Sequence, residues 1–103
     1  MKIMAVTYKI KSDLVNENER LISNVFADLH QRKPSGLRYA SFKLDDGVSF
    51  MHLVATDEAA VENPLVGLPA FKSFVEGISA RCEEQPKTTE LTLVGSYDLL
   101  DPL

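Results

Sequence analysis

His52 sits in the run Phe50-Met51-His52-Leu53-Val54, whose neighbours read as buried. Imidazole titrates near neutrality, so a histidine in apolar surroundings is placed to exchange a proton with a bound molecule. The residues beside it follow from the turn that precedes it. Asp46-Gly47 joins the runs Leu37–Leu44 and Val48–Asp57, because glycine tolerates the positive φ that such turns require. Counting outward sets Phe42 opposite Met51, Ser41 opposite His52, Ala40 opposite Leu53 and Tyr39 opposite Val54. One face of this hairpin then carries Tyr39, Ser41, Lys43, Phe50, His52 and Val54, and the other Ala40, Phe42, Leu44, Met51, Leu53 and Ala55.

An imidazole, a phenol and a hydroxyl among Phe50 and Val54 have the composition of a ligand pocket. In it His52 would exchange a proton with a bound molecule and Tyr39 would position that molecule's oxygen. A buried histidine satisfied by Ser41 and a backbone carbonyl accounts for the same residues without any chemistry. Both readings stay open.

The surrounding chain supplies the elements that hold this hairpin. Residues 3–10 (IMAVTYKI) suit a strand, with Met4, Val6, Tyr8 and Ile10 on one face and Ile3, Ala5 and Thr7 on the other. The period then changes to that of a helix, with Leu14, Asn18, Leu21, Ile22, Val25 and Leu29 on one stripe. Asn16 with Glu19 resembles a capping box, Ser12 or Asp13 would start the helix one turn earlier, and Pro34-Ser35-Gly36 ends it. Residues 57–67 read as a loop with room for a helical turn. Pro69 opens a second helix whose stripe is Phe71, Phe74, Val75, Ile78 and Cys82, weakened at Gly77 by about 1 kcal/mol relative to alanine. Residues 88–97 (TTELTLVGSY) alternate as a last strand. Phe71 and Phe74 read first as core and then as pocket lining.

At 103 residues the chain makes one domain, residues 1–103, large enough to bury a core of its own. A net charge of -4 and the lack of a basic patch exclude nucleic acid and anionic membranes as partners. The single cysteine, Cys82, excludes an internal disulfide, and two distant histidines make no metal constellation, so no metal is expected. No run approaches the ~18 apolar residues of a membrane helix. The N-terminal run is too short and too polar for a secretory leader, so the cytoplasm is expected.

The order βαββαβ implies an α+β, ferredoxin-like domain: a four-stranded antiparallel sheet with both helices on one face. Three of the strands are apolar on both sides, and two helices cover one. Leaving Phe42, Leu44, Met51 and Leu53 exposed would create a patch larger than monomers usually tolerate. A second copy burying roughly 800 Å² per partner is the simplest cover, which predicts a homodimer with sheets face to face.

Pro34-Ser35-Gly36-Leu37-Arg38-Tyr39, FMHLVATD at 50–57 and LPAFKSFVEGI at 68–78 together resemble the antibiotic biosynthesis monooxygenase type of dimeric α+β barrel proteins. The resemblance spans nearly the whole chain and implies a dimeric α+β barrel with a pocket between helices and sheet. Some members of that family oxygenate aromatic polyketides without metal or flavin; others degrade haem. The oxygenases' third-strand Asn, and the Trp four residues on, align with His52 and Thr56, and the chain contains no Trp. The haem-degrading members' first-strand Asn aligns with Thr7, and the second helix here lacks their His. The resemblance thus implies a cofactor-independent monooxygenase, needing no cofactor, that acts on a small aromatic or quinol-type molecule; it adds Thr7 and Thr56 to the site that the hairpin face and second helix give, Tyr39, Ser41, Phe50, His52, Val54, Phe71 and Phe74. The alternative is a non-catalytic dimeric ligand-binding or structural module of the same fold.

Overall fold

The computed structural model describes residues 1–58 and 63–100. Strand β1 (Lys2–Ile10) leads through a 3-10 turn (Ser12–Leu14) into helix α1 (Val15–Arg32), and β2 (Leu37–Lys43) and β3 (Ser49–Thr56) form the hairpin. A second 3-10 turn (Pro64–Gly67), helices α2 (Pro69–Glu76) and α3 (Ile78–Arg81), and strand β4 (Cys82–Leu91) complete the regular structure of the described residues. The sheet order is β2-β3-β1-β4 with every pairing antiparallel, the α+β ferredoxin-like arrangement expected. Within the loop expected over 57–67, residues 59–62 lie outside the described residues, as do residues 101–103 of the tail.

The hairpin register is the one counted from its turn, with Ser41 opposite His52 and Phe42 opposite Met51. Gly47 has φ 79°, and Asp46 closes the loop by accepting from the Val48 and Ser49 amides and the Ser49 hydroxyl. The strand face bearing Tyr8, Ile10, Phe50 and Val54 is buried against Val25 of α1, Phe74 of α2 and Leu65 and Leu68 beside it.

Three local expectations change. No side chain caps α1: the 3-10 turn at Ser12–Leu14 feeds it directly, so the Asn16–Glu19 box does not form. At its other end Lys33 takes the left-handed conformation (φ 48°) and donates its N–H to the Leu29 carbonyl, ahead of Pro34. The last strand begins at Cys82, six residues before the expected start, and ends at Leu91. Cys82 is therefore a strand residue (φ -84°, ψ 137°) and not the end of a helical stripe. Its polar sequence, CEEQPKTTEL, is that of an edge strand, where charge and proline discourage further pairing. Between the pairs Thr7–Lys87 and Lys9–Glu84 the register slips, and Pro86, which has no N–H to give the ladder, falls at that bulge.

Candidate active site

Strand β3 lies between β2 and β1, so His52 has neighbours on both sides. It pairs with Ser41 and Val6, which makes Tyr39 on one flank and Tyr8 on the other its diagonal neighbours on the helix-covered face. Aromatic side chains span such diagonals. The rings of Tyr8 and Tyr39 flank the imidazole at centroid distances of 5.3 and 5.7 Å, and Phe74 of α2 closes over it at 5.5 Å.

Both ring nitrogens are engaged. Nε2 lies 2.6 Å from the Tyr8 hydroxyl, and Nδ1 lies 2.5 Å from that of Tyr39 and 2.8 Å from Ser41 Oγ. The network continues behind Tyr8: Asn18 Nδ2 donates to the Tyr8 hydroxyl at 3.1 Å, and Arg81 Nε donates to Asn18 Oδ1 at 3.1 Å. Arg81 also donates to the Phe74 carbonyl at 2.8 Å, with its guanidinium carbon 5.1 Å from the Phe74 ring centroid. His52, Asn18 and Arg81 are 3%, 0% and 6% exposed, so this is a buried polar chain, and every buried side-chain donor and acceptor described has a partner.

Burial sets the charge states. It pushes the His52 pKa down to about 4, so the ring is neutral at pH 7. It pushes both phenols up, Tyr8 most, while hydrogen bonds from Asn18 to Tyr8 and from Ser41 to Tyr39 act against the rise. Burial also lowers the Arg81 pKa, yet an arginine starts so high that it stays charged. No carboxylate is within ion-pair distance of Arg81 or His52 among the described residues.

A cavity of about 320 Å³ opens between this network and the helices, at the small end of the ~300–1000 Å³ usual for ligand sites. Its walls are Met4, Val6, Tyr8, Tyr39, His52 and Val54 from the sheet, Phe71, Phe74, Val75 and Ile78 from the helices, Asn63 and Leu65 from the turn, and Pro86 and Thr88 from β4. Of the residues singled out in the sequence, His52, Tyr39, Val54, Phe71 and Phe74 line it. Ser41 reaches His52 but faces a separate crevice beside Phe50 and α1. Phe50 is core, stacked on Tyr8 at 5.6 Å. Thr56 lies in a larger polar groove at the strand ends with Met1, Lys2, Glu58 and Glu90. Thr7 is exposed and paired with Met51 on the opposite sheet face.

Tyr8, Asn18 and Arg81 were not among the residues singled out. Asn18 and Arg81 carried a signal nonetheless: each occupies a position of an apolar helical stripe, Asn18 four residues after Leu14 and Arg81 three after Ile78. Polar residues at buried helical positions need partners, and these two supply each other's. Tyr8 gave no such sign, because its meeting with His52 depends on the non-local pairing of β1 with β3.

No protein-family model matches the sequence, and no curated protein matches it significantly. Solved structures do. An antibiotic biosynthesis monooxygenase superposes with TM-score 0.74 at 14% identity, over 92% of this chain and 100% of its own. A Mycobacterium tuberculosis protein gives 0.74 at 12% identity, over 92% and 96%. A variant of SnoaB, a cofactor-independent oxygenase from Streptomyces nogalater, gives 0.68 at 15% identity, over 94% and 96%. The chain has the fold of the antibiotic biosynthesis monooxygenase-like proteins, as the hairpin and second-helix motifs implied. Among the described residues no helix is long and apolar enough to cross a membrane, and no group of three or more His, Cys, Asp or Glu side chains is placed to hold a metal.

Proposed function

We propose that the cavity is the active site of a cofactor-independent monooxygenase acting on a small aromatic or quinol-type molecule. The observation that carries this reading is an apolar cavity with one polar end, made by His52, Tyr8 and Tyr39. The ring of the substrate would pack on Phe71, Phe74 and Val54, with its oxygen on Tyr39 beside His52. Held as its anion, such a molecule is electron-rich enough to reduce O2 itself. In the keto tautomer of such a molecule one ring carbon is a CH2; one oxygen atom of O2 becomes a new carbonyl at that carbon and the other leaves as water, the CH2 supplying both hydrogens and all four electrons. A pKa near 4 makes His52 a weak base at neutral pH, so its role is to hold and orient more than to strip protons.

The same site favours a second reading on one specific observation. Both imidazole nitrogens are already occupied by protein groups, as suits a dimeric module that binds an aromatic ligand without turning it over. Oxygen consumption separates the two. An oxygenase is expected to take up O2 saturably with at least one member of a quinol and phenol panel, and to lose that uptake in a folded His52→Ala variant. A ligand that raises the melting temperature while no panel member drives O2 uptake would favour the binding module.

The working unit in this reading is a homodimer. On the sheet face away from the helices, Phe42 and Leu44 are 47% and 45% exposed beside partly buried Met51 and Leu53. Residues 92–97 follow β4 outside any strand, with Val94 and Tyr97 almost fully exposed. Two sheets packed face to face would cover these groups, with the segment after β4 lying against the second copy. The expected location is the cytoplasm, where a lone buried thiol such as Cys82 stays reduced.

A further inference from the structure

The direction of the hydrogen bonds behind His52 follows from what each group can donate. A guanidinium has only donors, so the atom of Asn18 that faces Arg81 is its carbonyl Oδ1. The amide nitrogen of Asn18 is thereby turned toward Tyr8, and an NH2 group also only donates, so the Tyr8 oxygen accepts. The proton of Tyr8 then has one partner within reach, His52 Nε2 at 2.6 Å. If Nε2 carried a proton instead, Tyr8 would accept twice and its own O–H would have no acceptor among the described side chains, only the cavity it lines. The neutral ring therefore bears its hydrogen on Nδ1 and gives it to the oxygens of Tyr39 and Ser41. Of these two, Tyr39 lines the cavity, and with its oxygen accepting from the imidazole, its O–H is left to donate.

We infer that Arg81, acting through Asn18 and Tyr8, fixes His52 as the Nδ1–H tautomer and so makes the polar end of the cavity a hydrogen-bond donor, selecting ligands that present a phenolate or carbonyl oxygen. This rests on the reading of the cavity as a ligand site and deepens it. The substrate enters already deprotonated or as a keto form, and proton removal by His52 is not part of its binding. Reversal of the chain is blocked at Asn18, whose amide cannot turn while the guanidinium holds its oxygen. Arg81 and Asn18 are thus positioning residues, Tyr8 passes their direction to His52, and Tyr39 is the group whose O–H is free to meet the ligand.

The tautomer is read directly from the imidazole 15N shifts of histidine-labelled protein. With two histidines in the chain, exposed His30 serves as the internal reference. Wild type is expected to show a protonated Nδ1 and an unprotonated Nε2 on His52 at pH 7. Asn18→Asp replaces the donor to Tyr8 with an acceptor of the same shape that pairs with Arg81, and is expected to move the proton to Nε2. An Nε2–H or mixed signal in wild type overturns the proposal, as does an Asn18→Asp spectrum like that of wild type. Should Asn18→Asp not fold, Arg81→Met frees the amide to turn, and an unchanged tautomer there overturns it equally.

The ligand class is tested with 4-nitrophenol, a phenol that titrates near neutrality. Over pH 6–8 the groups facing the cavity keep their charge: Tyr8 on β1 and Tyr39 on β2 are pushed up, His52 on β3 is pushed down, and Arg81 behind Asn18 stays cationic. Wild type is expected to bind several-fold more tightly at pH 8 than at pH 6, and Asn18→Asp to reverse that order. Preference of wild type for the neutral phenol overturns the donor assignment. Failure of either form to bind, with the tautomer as stated, overturns the phenolic-ligand reading of the cavity and leaves the hydrogen-bond direction standing.

Discussion

His52 is kept neutral by burial while both its nitrogens are engaged, and that has a consequence for stability. Its folded pKa of about 4 lies below the ordinary 6.5, so the unfolded chain binds the extra proton first. The stability that depends on a neutral His52 is complete above pH 6.5 and is lost as pH falls toward 4, by about 3 kcal/mol over that window. Urea unfolding at a series of pH values, compared with His52→Gln, should show this slope in wild type and its absence in the variant. Tyr8→Phe leaves both Asn18 Nδ2 and His52 Nε2 short of a partner, and should cost about 1–3 kcal/mol in the same assay. A loss within error would mean that water replaces the phenol and the chain is not dry. Of these residues His52, Tyr39 and Ser41 were legible in the sequence, because a strong turn fixed their register. Tyr8 was not, because its partner lies 44 positions away.

At the scale of elements, the break between α2 and α3 is what seats Arg81. A Cβ built on Gly77 would come within 2.7 Å of an Arg81 guanidinium nitrogen, although Gly77 itself has an unstrained φ of -102°. That nitrogen belongs to a long side chain, but this one is held by Phe74 and Asn18 and has little room to move. Gly77 lies between the two helices, so alanine gains no helix propensity there, and Gly77→Ala should destabilise the fold by roughly 1 kcal/mol or more. A variant more stable than wild type in thermal unfolding would show that Arg81 relocates freely. The sequence marked Gly77 as a weak point in one helix; its structural use became visible only once Arg81 was placed. The start of strand β4 is hidden in the sequence. An edge strand with a proline bulge has no apolar alternation to read, whereas the apolar residues after Leu91 alternate without pairing.

For the whole molecule, the α+β order and the helix-covered face were legible because two helical periods and one strong hairpin leave few ways to pack. The open face was legible as a surplus of apolar residues, and it makes the association state testable. Phe42→Glu places a charge in the proposed sheet-to-sheet interface and should shift sedimentation at micromolar concentration from twice the chain mass to one, with the fold retained by circular dichroism. A wild-type monomer under the same conditions would remove the dimer from the account. The central claim concerns the cavity, and intermolecular nuclear Overhauser contacts from a small quinol kept anaerobic test it most directly. Contacts to the rings of His52, Phe71 and Phe74 are expected. Contacts confined to the polar groove around Thr56 and Glu90, or none at saturating quinol, would contradict it.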